Sequence, residues 1–141
     1  MAVIVVVEIL LFNRIDKVIK RVVVSGCRDF NDYNTAKKFI DACISNIRKE
    51  NEIVFVSGGC RGADMLGERY AKENGMAIER YPADWDTYGK AAGPMRNRQM
   101  AEVADYVIYF WDGHSRGTKT MIEYANEFQK PVRIKKIMTT G

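Results

Sequence analysis

The segment Val54-Phe55-Val56-Ser57-Gly58-Gly59-Cys60-Arg61-Gly62-Ala63-Asp64 joins an apolar, β-branched run to a glycine pair and then to the start of a helical pattern. The run reads as a buried strand. A turn without Cβ atoms at two successive positions lets backbone amides close on an anion, and the helix that follows aims its positive end at the same point. Two other stretches share the layout: Val22-Val23-Val24-Ser25-Gly26 upstream, and Val107-Ile108-Tyr109-Phe110 leading into Gly113-His114-Ser115-Arg116-Gly117-Thr118 downstream. Strand-to-glycine turns repeated in this way point to one ligand site assembled from several loops.

Outward from that segment, the chain alternates. Arg21 to Ser25 is an unbroken apolar run of the kind parallel strands covered on both faces show, and a helix is expected from Asn34 or Thr35, with Ala36, Phe39, Ile40, Cys43, Ile44 and Ile47 as its inward stripe. After the glycine turn, Ala63, Leu66, Gly67, Tyr70 and Ala71 line one face of a helix that Asn74-Gly75 ends. Ala77 to Tyr81 is the third strand, Asp105 to Trp111 the fourth and Pro131 to Ile134 the last. Pro82 to Pro94 reads as a long irregular loop, which in a compact domain is usually functional, and Pro94 as the first residue of a short helix. Right-handed crossovers make this an α/β doubly wound, mostly parallel sheet ordered 3-2-1-4-5, with helices on both faces. The tips of strands two, one and four would then form a single rim.

With 141 residues the chain is one domain long and can bury a core without disulfides or metals. We expect an extension over residues 1–20, the domain over 21–135 and a tail over 136–141. Val3 to Phe12 is the most hydrophobic stretch but is too short to span a bilayer and is interrupted by Glu8; an extra edge strand or a contact between subunits is the expectation. The net charge of +4 permits an anionic ligand and falls short of the dense basic stripe of a dedicated nucleic-acid binder. The three cysteines, Cys27, Cys43 and Cys60, have no framework or metal-finger spacing, so a reducing, cytoplasmic setting is expected. His114 is the single histidine, which excludes a histidine-rich metal site. No metal, cofactor or membrane contact is expected.

Within the rim, Gly26, Gly58 and Gly59 let the backbone approach an anion, and Ser57 offers a hydroxyl. Gly117 and Thr118 open a helix and form a second anion seat, where Thr118 serves equally as a cap. Arg28 and Arg96 are candidates for charge-assisted forks onto phosphate, with Asn97 beside them; Arg28 alternatively pairs with Asp29. Trp85 either covers a base or packs, and Asp64 either accepts from a sugar hydroxyl or serves the helix dipole. Cys27 and Cys60 lie on the rim as candidate nucleophiles or as small buried residues. The Gly-Lys-Ser/Thr ending of a nucleotide-triphosphate loop is missing, as is Gly-x-Gly-x-x-Gly after the first strand.

Ser25 to Phe30, Ser57 to Asp64, Pro82-Ala83-Asp84-Trp85 with Gly89 and Ala92 to Asn97, and Ser115 to Thr118 together resemble the YpsA-related SLOG family, in its YspA-like branch. The resemblance runs from about Val22 to Val132. It implies a Rossmann-like three-layer sandwich that binds nucleotides or nucleotide-derived molecules and often forms homo-oligomers. The wider superfamily includes Lonely Guy phosphoribohydrolases, molybdenum-cofactor carriers and DprA recombination mediators. By resemblance to the first, Arg96 or Arg98 matches a catalytic arginine; the glutamate expected just after Gly-Thr is missing, leaving Glu123, Asp64 and Asp84 as substitutes. The expectation is therefore a sensor, carrier or sequestering domain. An N-glycosidase and a single-stranded nucleic-acid binder are the alternatives.

Overall fold

A computed structural model describes residues 17–114 and 116–139, with residues 116–119 described by backbone alone. The elements run β1 (Ile19–Gly26), α1 (Tyr33–Ile44), α2 (Ile47–Glu50), β2 (Glu52–Ser57), α3 (Ala63–Glu73), β3 (Ala77–Arg80), α4 (Trp85–Tyr88), a 3-10 turn (Gly89–Ala91), α5 (Ala92–Val103), β4 (Tyr106–Trp111), α6 (Arg116–Glu127) and β5 (Val132–Lys136). The strands form one sheet ordered β3-β2-β1-β4-β5, and every pairing is parallel. The order expected from the sequence is the order found. The expected N-terminal strand lies outside the described residues.

Alternation along the central strands divides the core into two layers. Val22, Val24, Phe55, Ile108 and Phe110 pack with Ala36, Ile40 and Ile44 of α1 and Ala63, Tyr70 and Ala71 of α3. Val23, Val56, Val107 and Tyr109 point the other way, onto Met100 and Ala101 of α5 and Met121 and Ala125 of α6. Burial of side chains of this size contributes roughly 1.5–3 kcal/mol each, so both faces of β1, β2 and β4 drive the three-layer arrangement. The outer strand β5 is largely exposed.

Local chemistry sets the helix starts. Asp32 caps α1 by accepting from the Thr35 amide at 3.2 Å and the Thr35 hydroxyl at 2.7 Å. The α1 stripe, expected to run on through Ile47, breaks at Ser45 and Asn46 before the short α2. The stretch Pro82 to Pro94 is more ordered than a loop. Asp84 accepts from the Thr87 amide at 3.1 Å and starts α4, and α5 begins at Ala92 with Pro94 inside its first turn. Proline is tolerated there because the first amides of a helix have no intrahelical acceptor.

Two glycines fix how the layers meet. At Gly26 a Cβ would fall 2.2 Å from the Phe110 carbonyl oxygen, so β1 and β4 run together only because that position is bare. At Gly67 a Cβ would lie 2.6 Å from the Val24 Cβ, which lets α3 lie directly on β1. Gly67→Ala is expected to force α3 off the sheet and cost about 1–3 kcal/mol, the usual range for overpacking; urea unfolding followed by circular dichroism measures it.

Candidate ligand-binding cavity

The carboxyl ends of β1, β2 and β4 open into a cavity of about 430 Å³, lined by Ser25, Gly26, Cys27, Arg28, Asp29, Cys60, Arg61, Asp64, Trp85, Gly93, Pro94, Arg96, Asn97 and Thr120. Its position is where the connections from β1 and β4 leave in opposite directions, as expected for a doubly wound sheet.

Arg96 enters from α5 and is only 7% exposed. Its Nη1 donates to the Gly58 carbonyl at 2.8 Å, its Nε to Asn97 Oδ1 at 3.0 Å and its Nη2 to Cys60 Sγ at 3.7 Å. All these acceptors are uncharged. Among the described residues no carboxylate lies within the 4.0 Å of an ion pair with it. A guanidinium cannot shed its proton to escape burial, so it remains a desolvated cation facing the cavity.

Asp64, in the first turn of α3, is 5% exposed and feels Arg96 without touching it. Burial pushes its carboxyl up to about 6, against the opposing pull of the Cys60 amide, the Arg96 charge and the Gly58 amide. Gly58 explains the crowding. A Cβ there would lie 2.8 Å from Arg96 Nη1 and 2.9 Å from Asp64 Oδ2, so the missing side chain makes room for two functional groups.

The amides of the glycine turn already have partners. Gly59 N–H donates to Ser57 Oγ at 3.0 Å, and Cys60 N–H donates to Asp64 Oδ2 at 3.3 Å. Ser57, 2% exposed, donates in turn to Glu68 Oε2 at 2.7 Å, and the other oxygen of Glu68 is held by the Arg80 guanidinium. Burial alone would raise the Glu68 carboxyl, but hydrogen bonds from Arg80 and Ser57 prevail and hold it below its ordinary value. The anion inside this turn is therefore the chain's own Asp64 carboxylate.

Of the residues singled out in the sequence, Gly26, Arg28, Asp64, Trp85, Arg96 and Asn97 come together on the cavity wall. Ser57, Gly58 and Gly59 build the turn behind it and are not part of the lining. Gly117 and Thr118 fall in the first turn of α6, whose Thr120 reaches the cavity. Glu123 is on the exposed side of α6 and does not line the cavity. Trp85 is 52% exposed and its ring edge lies over Gly93, where a Cβ would come within 3.1 Å, so it packs and covers at once. Arg61 pairs with Asp29 at 3.4 Å at the solvent-exposed mouth. Cys27 donates to Asp112 Oδ2 at 3.4 Å. Glu68 and Arg80, which hold the turn, were missed. The one signal for Glu68 was a carboxylate next to Gly67 on the apolar face of α3. Among the described residues no three histidine, cysteine or carboxylate side chains gather as metal ligands, and no helix is long and apolar enough to cross a membrane.

A doubly wound parallel sheet with its cavity at the strand reversal defines a Rossmann-like α/β domain. Residues 20–88 match the model of the YspA, cpYpsA-related SLOG family. The chain is also 34% identical over 120 residues to the Gene 61 protein of Mycobacterium phage D29, covering 80% of this chain and 94% of that one. It belongs to the SLOG family. Among solved structures it is similar to the DNA processing protein A (DprA) of Streptococcus pneumoniae, with TM-score 0.62 and 22% identity over 83% of this chain and 50% of that chain. It thus spans half the length of that protein. It is also similar to the DprA of Helicobacter pylori, described for its single-stranded DNA binding mode, with TM-score 0.60 and 21% identity over 86% of this chain and 68% of that chain. Identities of this order speak for a common fold.

The raised carboxyl makes a stability prediction. Asp64 binds its proton more tightly folded than unfolded, so its contribution is fully present below about pH 4 and is lost as pH rises through about 6. A displacement of this size corresponds to roughly 3 kcal/mol. Relative to Asp64→Asn, the wild-type chain should lose up to that amount between about pH 4 and about pH 7. Paired chemical-denaturation curves at each pH, in which other titrating groups cancel, provide the measurement.

Proposed function

We propose that the cavity binds a nucleotide or nucleotide-derived small molecule, with the anionic group of the ligand on Arg96 and its ring system against Trp85. The observation that carries this reading is the buried Arg96 guanidinium, bonded to uncharged acceptors and facing a cavity. A cation so placed has much to gain from an anion that enters a water-poor site. Arg28 at the mouth adds positive charge, and the Trp85 ring offers a stacking surface that any base can use. The size of the cavity suits a ligand of mononucleotide dimensions. SLOG membership and the likeness to DprA support a ligand of nucleotide chemistry.

In this reading the domain senses, carries or sequesters its ligand. The displaced position of Glu123 and the bonded state of Asp64 favour binding over cleavage. A second reading, N-glycosidic hydrolysis, draws on one feature: a raised Asp64 carboxyl beside Arg96 resembles an acid and an anion clamp in one pocket. Release of free base from nucleoside monophosphates during incubation would favour the enzyme, and its absence with intact binding would favour the carrier.

Calorimetric titration with a panel of nucleoside monophosphates tests the proposal. Arg96→Met is expected to weaken binding about 100-fold, the loss associated with a charge-assisted hydrogen bond to a buried ion, and Trp85→Ala about 10-fold. Because Arg96 also holds the Gly58 carbonyl, the variant's melting transition is compared with wild type, and the exposed Arg28→Met serves as a second variant with an expected loss of about 5-fold. Unchanged affinity in a folded Arg96→Met protein would place the anion elsewhere.

A further inference from the structure

Asp64 and Arg96 share one wall of the cavity, close enough that a single added methyl on Gly58 would touch both. An anion drawn to the guanidinium therefore meets the carboxyl as its next neighbour. Both groups are nearly dry, so a second negative charge beside Asp64 acts through a medium of low dielectric and is strongly disfavoured. In a phosphate-binding loop the turn amides would relieve that repulsion. Here the amides of Gly59 and Cys60 already go to Ser57 and Asp64.

We propose that Asp64 is a specificity residue that makes the cavity select oxyanions able to share a proton with it. Inorganic phosphate, whose dianion keeps an O–H, and a phosphomonoester that still holds its second proton are accepted, while sulfate, a phosphodiester or a fully ionised phosphomonoester is rejected unless Asp64 itself is protonated. The inference rests on the reading of Arg96 as the anion anchor. An ionised carboxylate and a fully ionised oxyanion have acceptors only; one proton between them turns a repulsive contact into a charge-assisted O–H···O bond. A phosphomonoester loses its second proton near pH 6 and the buried Asp64 carboxyl near the same value. For a phosphomonoester either partner can therefore supply the proton near pH 6, with one taken up from solvent above it, whereas inorganic phosphate still carries an O–H as the dianion. Sulfate brings none and depends on Asp64 alone.

Several other titratable and charged groups surround Asp64. Glu68, on the same helix, stays ionised under Arg80 and Ser57. Arg96 on α5 is a guanidinium, and the Tyr109 hydroxyl on β4 is pushed far above its ordinary value by burial and by the Asp64 charge. Cys60 on the turn bonds Arg96, and Arg28, Asp29 and Arg61 stand at the mouth. The single histidine, His114, does not line the cavity.

The test is calorimetric titration of the full chain with inorganic phosphate and with sulfate between about pH 5 and about pH 8. Sulfate affinity should fall about tenfold per pH unit above about 6, as one-proton linkage requires. Phosphate affinity should stay nearly level over the same range, because its dianion brings an O–H of its own, whereas sulfate should take up one proton, read as a binding enthalpy that changes with buffer. In Asp64→Asn the sulfate profile should flatten, and the two ions should bind within about threefold of each other, because the amide supplies a donor at every pH. A flat sulfate profile in wild type, or a phosphate preference that survives in Asp64→Asn, overturns the inference. If both ions bind equally and Arg96→Met abolishes both, the anchor stands and only the proton requirement falls. If neither ion binds at any pH, the anchor falls as well.

Discussion

A desolvated carboxyl and a desolvated guanidinium held apart across a bare glycine set the terms for the whole carboxyl end of the sheet. Asp64 and Arg96 come from α3 and α5, helices on opposite faces, and they meet only because the turn between them has no side chain at Gly58. Neither charge is neutralised by direct contact. Each is instead satisfied by main-chain groups of the same turn, Asp64 by the Cys60 amide and Arg96 by the Gly58 carbonyl. The turn thereby becomes a rigid spacer between two opposite charges, and its own geometry is fixed from behind through Ser57, Glu68 and Arg80. Buried polar groups of this kind are tolerable only when such a network is complete.

The path from sequence to fold was short because the central strands carry their own instructions. Val22 to Val24, Ile53 to Val56 and Val107 to Phe110 are apolar at consecutive positions, which only a strand covered on both faces can use, and each runs into a helix after a turn. From there the right-handed crossover rule leaves few topologies. Gly26 was legible as a special position, although its reason, the close approach of Phe110, is a contact between segments far apart in sequence. Pro82 to Pro94 was harder. Asp84 and Thr87 form a capping pair of ordinary spacing, but a helix as short as α4 has too few residues to show a period.

The glycine turn was readable as a place where amides could close on an anion. What the sequence could not show was which anion. Asp64 follows Cys60 by one helical turn, and whether its carboxylate folds back onto the turn or points out to a ligand depends on rotamer and on space provided by Gly58 and α5. Likewise Glu68 and Arg80 meet only once β3 is laid beside β2. Local pattern fixes elements and their order. Long-range side-chain pairing decides which donors remain free for a ligand.

That outcome alters the logic of the site. A phosphate loop with open amides binds through many weak neutral donors, whereas this cavity concentrates its attraction in one buried guanidinium and sets one ionisable carboxyl beside it. Leaving Arg96 without a direct ion pair costs stability in the empty protein, since the desolvation of its charge is offset only by neutral acceptors and by Asp64 at longer range. A direct Asp64–Arg96 pair would be better for the fold and worse for binding, because an incoming anion would have to compete with it. Tying each to a different main-chain group, Asp64 to the Cys60 amide and Arg96 to the Gly58 carbonyl, keeps enough attraction to make the buried charge tolerable while leaving the cation open to a ligand. Departures from the best local solution of this sort are expected at functional sites and seldom elsewhere.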